Sequence, residues 1–317
     1  MATQTSTLTP TRLPEYRTFL AKHFEGKVQK ISIDAGFTCP VRNGALGHGG
    51  CTYCNNRTFS PGYGGKAKSV SQQLEEGKLF FARKYPDMRY LAYFQSYTNT
   101  YDTTERLREL YEEALRVPDV VGIVIGTRPD CVSNELLSYL QELSQRTFLM
   151  VEYGIESTYD DTLLAIQRGH TYADTVDAIY RTHNHGIRVG GHLILGLPGD
   201  TKERIIAQAQ RINDLPLHAI KFHQLQIVRG TIMSGQWRKQ PELFDLFTPE
   251  RYITLVAEMV THLRRDLVIE RFTAQAPPDM LLAPRWGMKN FEFVHQLQKY
   301  MATHDLWQGK ALGQAWH

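Results

Sequence analysis

Residues 39–56 of this chain read Cys39-Pro-Val-Arg-Asn-Gly-Ala-Leu-Gly-His-Gly-Gly-Cys51-Thr-Tyr-Cys54-Asn-Asn. The glycine-rich loop holds three of the four cysteines in 317 residues, and it directly follows a strand-like segment. Three thiolates are one fewer than a structural zinc ion or a cubane iron–sulfur cluster needs for full coordination. A metal that lacks one protein ligand can hold a small molecule at the open position. The loop therefore predicts a reactive metal centre.

A structural zinc site is the alternative interpretation of these cysteines. Cys51-x-x-Cys54 has the spacing of half a zinc knuckle, and the fourth ligand would then be His48, Cys131 or another histidine. No second Cys/His pair at knuckle spacing lies near the loop, and the loop lies in a series of strands and helices typical of an enzyme. These observations favour the iron–sulfur cluster and leave zinc open.

The composition is that of an ordinary globular protein, with 42% hydrophobic residues, 22% charged residues and a net charge of +3. This mild charge permits a nucleic-acid partner without arguing for one. Clustered cysteines are more typical of metal binding in a reducing compartment than of a disulfide framework. The N-terminus lacks a secretory signal pattern, and no apolar stretch approaches the ~20 residues that span a bilayer. We therefore expect a cytoplasmic protein with no membrane association.

Strand-like and helix-like segments alternate along the chain. Six strands are predicted, at residues 28–33, 89–94, 120–125, 148–155, 187–195 and 219–227. Six β–α units in series imply a parallel sheet with right-handed crossovers. We predict an α/β fold, namely a partial (β/α)6 TIM barrel that is open on one side. A flat doubly wound sheet fits the same pattern.

The chain is expected to contain three parts. They are an N-terminal tail and helix, the partial barrel, and a small α/β C-terminal extension that packs on the barrel, at residues 1–25, 26–232 and 233–317. In the extension, residues 267–272 read as a strand and 241–249 as a linker in which Phe244 and Phe247 look exposed.

Polar side chains follow the predicted strands where each strand ends. Because the carboxyl ends of parallel strands converge on one edge of the sheet, these side chains should lie together. Burial without partners would be costly, so they pair with one another or hold a polar ligand. They are Gln95, Ser96, Thr98, Thr127, Arg128, Asp130, Glu152, Glu156, Asp200, His223 and Gln224.

Several phrases of the sequence resemble the radical S-adenosylmethionine (radical SAM) enzymes, most closely the Elp3-like branch and the family typified by YhcC and YtqA. The resemblance covers about residues 15–310. It rests on Gly-Phe-Thr-Cys-Pro-Val-Arg-Asn-Gly (36–44), Gly-Gly-Cys-Thr-Tyr-Cys-Asn (49–55), Tyr-Phe-Gln-Ser-Tyr-Thr-Asn-Thr-Tyr (93–101), Gly-Thr-Arg-Pro-Asp-Cys (126–131), Arg-Gly-His (168–170), Gly-His-Leu-Ile-Leu-Gly-Leu-Pro-Gly-Asp (191–200) and Pro-Arg-Trp-Gly-Met-Lys-Asn (284–290).

The resemblance implies a [4Fe–4S] cluster held by Cys39, Cys51 and Cys54, with S-adenosylmethionine (SAM) chelated at the open iron. One electron, from a donor of the flavodoxin or ferredoxin type, then cleaves SAM to a 5′-deoxyadenosyl radical that abstracts hydrogen from the substrate. The common spacing C-x3-C-x2-C is replaced here by a first gap of eleven residues, as in this branch.

Motif matches imply roles around SAM for further side chains. Tyr53 should lie near the adenine, and the segment from Ile194 to Gly196 should pack on it. Glu156 replaces the glutamine that usually binds the ribose, and Arg168 fits the arginine that pairs with the SAM carboxylate. As structural alternatives, Arg168 caps its helix through the last carbonyl groups, and Glu156 forms an ion pair with it.

Two further predictions rest only on where the residues lie at the ends of predicted strands. Gln95, Ser96 and Thr98 occupy the strand end where many radical SAM enzymes carry a Gly-Gly-Glu that grips the amino group of SAM, and that motif is absent here. Cys131 ends the phrase after the third strand and is a candidate catalytic residue, as a hydrogen donor or substrate contact. The alternative for Cys131 is a small buried apolar filler.

The resemblance also points to a substrate. Larger Elp3 proteins add an acetyltransferase domain and modify wobble uridines of tRNA; this chain has no room for that domain, so acetyl transfer is not expected. YtqA-like members are linked to converting a carboxymethylaminomethyl group on the wobble uridine to aminomethyl. A set of basic and aromatic residues fits contacts with phosphates and with an exposed base, and the alternative is a solvated basic surface. The set consists of Arg57, Lys66, Lys68, Arg229, Arg238, Lys239, Arg285, Trp286 and Lys289.

Three functions follow from the sequence as hypotheses. The first is a radical SAM enzyme acting on tRNA. The second is a radical SAM enzyme acting on a small metabolite or a protein. The third is a non-catalytic zinc-bearing RNA-binding protein.

Overall fold

The computed structural model describes residues 11–316 apart from 59–61, 63, 66 and 83–86. The predicted N-terminal tail at residues 1–10 and the basic residue Lys66 therefore lie outside the described residues. The predicted helix near the N-terminus is α1 (Tyr16–Ala21).

Parallel strands form the main sheet of the molecule. In chain order the strands are β1 (Lys27–Ile33), β2 (Met88–Phe94), β3 (Val120–Thr127), β4 (Phe148–Glu156), β5 (Arg188–Leu195), β6 (Ala219–Gln224), β7 (Ile227–Val228), β8 (Val268–Arg271) and β9 (Leu281–Ala283). The main sheet has seven strands in the order β1-β2-β3-β4-β5-β6-β8, all of them parallel. β7 and β9 form a separate antiparallel pair. The predicted α/β fold and partial barrel are confirmed.

The seventh strand corrects the prediction of six. Residues 267–272 were expected to be a strand of a separate extension, but β8 pairs in parallel with β6, with Ala219 opposite Val268. Val268 and Ile269 are buried, so joining the sheet removes their side chains from water. β1 and β8 are the two edges of the sheet.

Helices connect the strands and cover the outer face of the sheet. They are α2 (Val70–Ala82), α3 (Thr104–Leu115), α4 (Asn134–Arg146), α5 (Asp160–Ala165), α6 (Tyr172–Asn184), α7 (Lys202–Asn213), α8 (Ile232–Lys239), α9 (Pro249–Thr261) and α10 (Asn290–Thr303). Hydroxyl side chains cap several of them: Thr103, Ser133 and Thr201 each accept a hydrogen bond from a first-turn backbone N–H. No helix in the described part of the chain has the length and apolar character needed to cross a membrane.

Side chains along β4 alternate between the apolar core and the barrel interior. Tyr153 and Ile155 are fully buried in the main core, whereas Glu152, Gly154 and Glu156 line an interior cavity. This alternation follows from the two-residue period of a strand. Polar side chains are thereby directed into the barrel.

The C-terminal part packs more closely on the barrel than the sequence indicated. Phe244 is only 8% exposed and belongs to an apolar cluster with Ile194 and Leu225. Phe247 is partly buried, and its ring lies against Gly196. The expectation that these phenylalanines are exposed was wrong, because a neighbouring apolar surface from the barrel strands covers them. The division of the chain at residues 232 and 233 remains a prediction.

Candidate functional site

A cavity of about 460 Å³ occupies the interior of the barrel. Residues of all seven strands of the main sheet, or of the loops that follow them, line it, and so do Cys39, Cys51 and Cys54. Its volume lies within the roughly 300–1,000 Å³ typical of ligand pockets. The cavity is therefore large enough to hold a cofactor at the thiol loop.

The thiol loop (residues 39–56) folds back on itself through backbone hydrogen bonds. The carbonyl of Cys39 accepts from the backbone N–H of Arg42 at 2.9 Å, and the N–H of Gly50 donates to the carbonyl of Val41 at 2.9 Å. Gly50 has φ +84°, and a Cβ there would lie 2.6 Å from Nε of Arg42. The absence of a side chain lets the Arg42 guanidinium reach the carbonyl of Cys54 at 2.8 Å. Gly50 thus leaves room for the hydrogen bond that ties the start of the loop to Cys54.

All three cysteines are free thiols with polar neighbours. Thr98 Oγ1 donates to Cys39 Sγ at 3.0 Å, and Arg168 Nη1 donates to Cys51 Sγ at 3.6 Å. Burial raises the pKa of the Cys39 thiol. Burial, with the neighbouring Cys51, raises the pKa of Cys54 to about 11, against the opposing effect of Arg42. Metal ions bind the thiolate form, so loading this site releases protons.

Arg168 links the thiol loop to the end of β4. Its side chain is buried, its Nη2 donates to the carbonyl of Gly154 at 2.9 Å, and it lies 3.6 Å from Glu156 Oε1. Burial alone would lower the pKa of Arg168, but Tyr53, Cys51 and Glu156 raise it well above its usual range. The guanidinium is therefore charged beside the thiols.

Two buried guanidinium nitrogens near the thiol loop have no hydrogen-bond partner among the described residues. They are Nε of Arg168 and Nη1 of Arg128. Arg128 is 2% exposed and lines the cavity, and its other nitrogens bind both carboxylate oxygens of Asp130 at 2.9 and 2.8 Å. Unused buried donors of this kind fit an anionic group such as a carboxylate. The thiol loop and these donors together fit a metal cluster with a carboxylate-bearing ligand.

The structure brings most of the predicted SAM-contact residues to the cavity. Tyr53, Gln95, Thr98, Glu156 and Arg168 line it. Ile194 also lines the cavity, and it shares an apolar cluster with Tyr53, as expected of two side chains that pack on one ring.

The remaining predicted residues lie elsewhere. Ser96 is buried but is not among the lining residues. Gly196 (φ +91°) lies where a Cβ would come 2.7 Å from the Phe247 ring, outside the cavity lining. Cys131 also lies outside the lining, and burial, with the carboxylate of Asp130, raises its pKa to about 12. The catalytic role of Cys131 stays a prediction.

Two cavity residues have a left-handed backbone without being glycine. Tyr97 has φ +66° and Glu156 has φ +64°. Each follows or ends a strand, and the Tyr97 N–H donates to Asn56 Oδ1 at 3.1 Å. Such conformations cost of order 1–3 kcal/mol and cluster at functional sites. Sequence patterns gave no signal for either residue.

Four charged side chains that line the cavity form one cluster, which we call the ionic floor: Lys30, Glu152, Lys221 and Glu270. Lys30 Nζ lies 2.7 Å from Glu152 and 2.7 Å from Glu270, and Lys221 Nζ lies 2.6 Å from Glu152. Burial would raise the pKa of Glu152, but Lys221 and Lys30 hold it well below its usual range. Each lysine lies in the middle of an apolar strand, where a charge requires a buried partner. A lysine within an apolar strand is visible in the sequence and indicates a buried ion pair.

Two histidines lie beside the ionic floor. His192 Nε2 is 3.1 Å from Glu152 Oε2, and the rings of His192 and His223 are 5.8 Å apart. Burial lowers the pKa of His223 well below its usual range, with His192 and Arg271 acting in the same direction. His223 is therefore neutral. In the described part of the chain, no three His, Cys, Asp or Glu side chains are grouped as ligands of a single metal ion.

Comparison with known protein families gives two matches along the chain. A family model described as the Radical SAM superfamily matches residues 47–212, and one described as the Radical_SAM C-terminal domain matches residues 217–303. Together these matches cover the cavity lining from Cys51 onward and most of the C-terminal part, whereas Cys39 and the lining residues of β1 precede them.

Similar proteins occur in bacteria and archaea. The chain is 34% identical to YtqA of Bacillus subtilis (strain 168), covering 92% of this chain and 90% of that protein. It is also 34% identical to protein YhcC of Escherichia coli (strain K12), covering 94% of each. A tRNA uridine(34) acetyltransferase of Methanocaldococcus infernus is 23% identical over 64% of this chain, which spans 38% of that relative.

A solved structure has the same fold. The archaeal Methanocaldococcus infernus Elp3, with residues 1–46 deleted, superposes with a TM-score of 0.67 at 17% identity, covering 90% of this chain and 65% of that chain. The family matches and the two relatives at 34% identity establish the family to which this chain belongs. The chain belongs to the radical SAM superfamily, whose members use a [4Fe–4S] cluster and S-adenosylmethionine.

Proposed function

We propose that this radical SAM enzyme modifies the side chain of a wobble uridine in tRNA. The observation that carries the proposal is that one cavity is lined by the three free thiols and by the Arg168–Glu156 pair, with exposed arginines beside the thiol loop. A relative named tRNA uridine(34) acetyltransferase supports the choice of nucleoside. This chain spans 38% of that relative, so the proposal carries over the nucleoside and not acetyl transfer.

The thiol loop and the end of β4 hold the two cofactors in this proposal. Cys39, Cys51 and Cys54 hold the cluster, Arg168 pairs with the carboxylate of SAM, and Glu156 accepts hydrogen bonds from the ribose hydroxyls. When bound, the cluster and SAM supply one-electron cleavage of SAM and a radical that removes a hydrogen atom from the substrate.

Other side chains orient SAM and exclude water. Tyr53 and Ile194 belong to one apolar cluster and pack against the adenine. Gln95, Ser96 and Thr98 follow β2 on the side of the amino group, and of these Gln95 and Thr98 line the cavity. Gln95 Oε1 accepts a hydrogen bond from the Ser32 hydroxyl at 2.8 Å. Gly196 supports the adenine wall from outside the cavity. A one-electron donor of the flavodoxin or ferredoxin type completes the system.

Positive side chains beside the thiol loop fit a polyanionic substrate. Arg57 is exposed three residues after Cys54, and Arg229 is exposed while its carbonyl accepts from Asn55 Nδ2 at 2.9 Å. Both arginines lie beside Asn55 at the C-terminal end of the thiol loop, so RNA phosphates can bind there while an unstacked base enters the cavity.

The test compares the nucleosides of tRNA from cells with and without the protein. The proposal predicts that one modified wobble uridine is lost and its precursor accumulates, and that purified holoenzyme with SAM and a reductant restores the product. A variant with Cys54→Ala should not restore it. Unchanged tRNA nucleosides, together with RNA-independent turnover of another substrate, would overturn the tRNA assignment and favour a metabolite or protein.

A further inference from the structure

Arg271 and His223 lie on paired strands and line the cavity, and the proposed function gives them no role in holding the cluster or SAM. Arg271 ends β8 and His223 lies on β6, the adjacent strand, and both line the cavity. The charge of Arg271 acts on His223 and contributes to lowering its pKa. The two side chains therefore face one cavity from paired strands at the edge of the sheet.

Neither the Arg271 guanidinium nor Nε2 of His223 has a hydrogen-bond partner among the described residues. Arg271 forms no ion pair or hydrogen bond there, and Nε2 of His223 is buried without an acceptor or donor. The other cations that line the cavity are engaged: Lys30 and Lys221 bind the carboxylates of the ionic floor, and Arg168, Arg128 and Arg42 bind Glu156, Asp130 and the carbonyl of Cys54. Arg271 is thus the unengaged cation of the described lining.

The charged side chains that line the cavity include more cations than carboxylates. The lining cations are Lys30, Arg42, Arg128, Arg168, Lys221 and Arg271, and the lining carboxylates are Glu152, Glu156 and Glu270. The carboxylates are all paired with cations other than Arg271. A cavity with an excess of positive charge attracts anionic ligands.

We propose that Arg271 and His223 form a subsite for an anionic oxygen group of the substrate, a carboxylate or a phosphate. Arg271 offers the planar fork that binds two oxygens at once, and the neutral imidazole of His223 donates a further hydrogen bond. The subsite lies on β6 and β8, which are separated from β4 by β5 in the sheet, so it binds the substrate at strands other than the one that carries Glu156. The inference deepens the proposed function and rests on it for the identity of the substrate.

Anion binding is tested on the cluster-loaded enzyme with two small probes, acetate and methyl phosphate, titrated by saturation-transfer difference NMR. Because a hydrogen bond to a charged group contributes about 1.5–3 kcal/mol, Arg271→Gln should raise the Kd of the bound probe at least about tenfold. Arg271→Lys should raise it less, since the charge remains and the fork is lost. His223→Phe should also weaken binding. The matched control is Arg116→Gln, an exposed arginine that follows α3 and lies outside the cavity lining, which should leave Kd unchanged.

The inference is overturned if wild type binds neither probe, or if Arg271→Gln and wild type give the same Kd while circular dichroism shows both folded. It is also overturned if Arg116→Gln weakens binding as much as Arg271→Gln does.

The source of the anion is identified with RNA stem-loops that carry the wobble uridine with a carboxylate-bearing side group or with its amide. If the carboxylate is recognised, Arg271→Gln weakens only the first RNA; if a backbone phosphate is recognised, it weakens both equally. Equal affinity of wild type and Arg271→Gln for both RNAs overturns the substrate role. If neither RNA binds wild type while the small probes do, the tRNA assignment fails and the anion subsite stands.

Discussion

Lys30 in the first strand of the sheet and Glu270 in the last strand form an ion pair between the two edges of the barrel. Nζ of Lys30 lies 2.7 Å from both carboxylate oxygens of Glu270, and no strand pairing joins β1 to β8 within the described residues. Lys30 also binds Glu152, which in turn binds Lys221. The ionic floor therefore connects β1, β4, β6 and β8 from inside the barrel.

Breaking the ionic floor should destabilise the fold strongly. Glu152 is 2% exposed, and Glu152→Gln leaves two buried ammonium groups with one remaining carboxylate. Removing one partner of a buried pair costs about 3–5 kcal/mol. Urea unfolding followed by circular dichroism should show a loss of this size. The control Glu112→Gln removes an ion pair with Arg146, whose side chain is 52% exposed, and should cost less than about 1 kcal/mol. Equal losses in the two variants would contradict a structural role for the floor.

Gly154 should be required for the position of Arg168 and not for the fold. A Cβ at residue 154 would lie 2.6 Å from Nη2 of Arg168 and 2.5 Å from Oε1 of Glu156. Both atoms end flexible side chains, so Gly154→Ala should displace them while the backbone persists. We expect the Kd of SAM for the cluster-loaded enzyme to rise at least tenfold, with little change in melting temperature.

The matched control for Gly154→Ala is Gly235→Ala in α8, where a Cβ would meet nothing within 4 Å. Alanine is a better helix former than glycine, so this variant should be neutral or slightly stabilising and should bind SAM normally. Normal SAM affinity in Gly154→Ala would refute the placement of Arg168 and Glu156 beside SAM.

Asp200 should make stability depend on pH between about 4 and 6. Its carboxylate accepts the backbone N–H groups of Gly196 and Leu197 at 3.1 and 3.0 Å, yet burial raises its pKa to about 6. The folded state then binds the proton more tightly than the unfolded state, whose pKa is about 3.9. Stability therefore falls as pH rises through this window, by up to about 3 kcal/mol.

The Asp200 prediction is measured as the difference in unfolding free energy between wild type and Asp200→Asn. The amide oxygen of asparagine still accepts both N–H groups and does not ionise. The advantage of the variant should be smallest below pH 4 and should grow up to about pH 6. A difference that is constant across the window would show that Asp200 has the same pKa in both states.

Gly196 and Phe247 should be coupled across the junction between barrel and C-terminal part. Gly196→Ala places a Cβ 2.7 Å from the ring at φ +91°, and the strained backbone and the contact each should cost about 1 kcal/mol or more. Phe247→Leu removes the ring. In a double-mutant cycle the two changes together should cost less than the sum of their separate effects, by about 0.5–3 kcal/mol. Additive losses would mean that the Phe247 ring does not restrict the space for a side chain at residue 196.

The order and type of the barrel elements could be predicted because each buried strand is an apolar run. Val120–Thr127 is an example, since its β-branched residues read as a strand buried on both faces. The strand β8 was predicted but assigned to the C-terminal extension instead of the main sheet. A strand of four residues carries no information about which strand it pairs with. Phe244 was misjudged for a related reason: its surroundings come from residues distant in the chain.

The candidate site was predictable where a motif fixes residue type and spacing, as in Cys39, Cys51 and Cys54. The ionic floor and the Arg271–His223 subsite were not found, because they join residues of β1, β4, β6 and β8 that only the folded sheet brings together. Lys30 and Lys221 did give a local signal, a charge within a buried strand. The left-handed conformations of Tyr97 and Glu156 gave none, since neither residue type favours them.

The three thiols are the centre of this account, and one measurement tests them most directly. Anaerobically reconstituted enzyme should contain about 4 iron and 4 sulfide per chain and should cleave SAM to 5′-deoxyadenosine when dithionite is added. Cys54→Ala should lose both the cluster and the cleavage, whereas Cys131→Ala should keep its iron. One zinc per chain with no cleavage in the wild type, or undiminished cleavage in Cys54→Ala, would contradict the account.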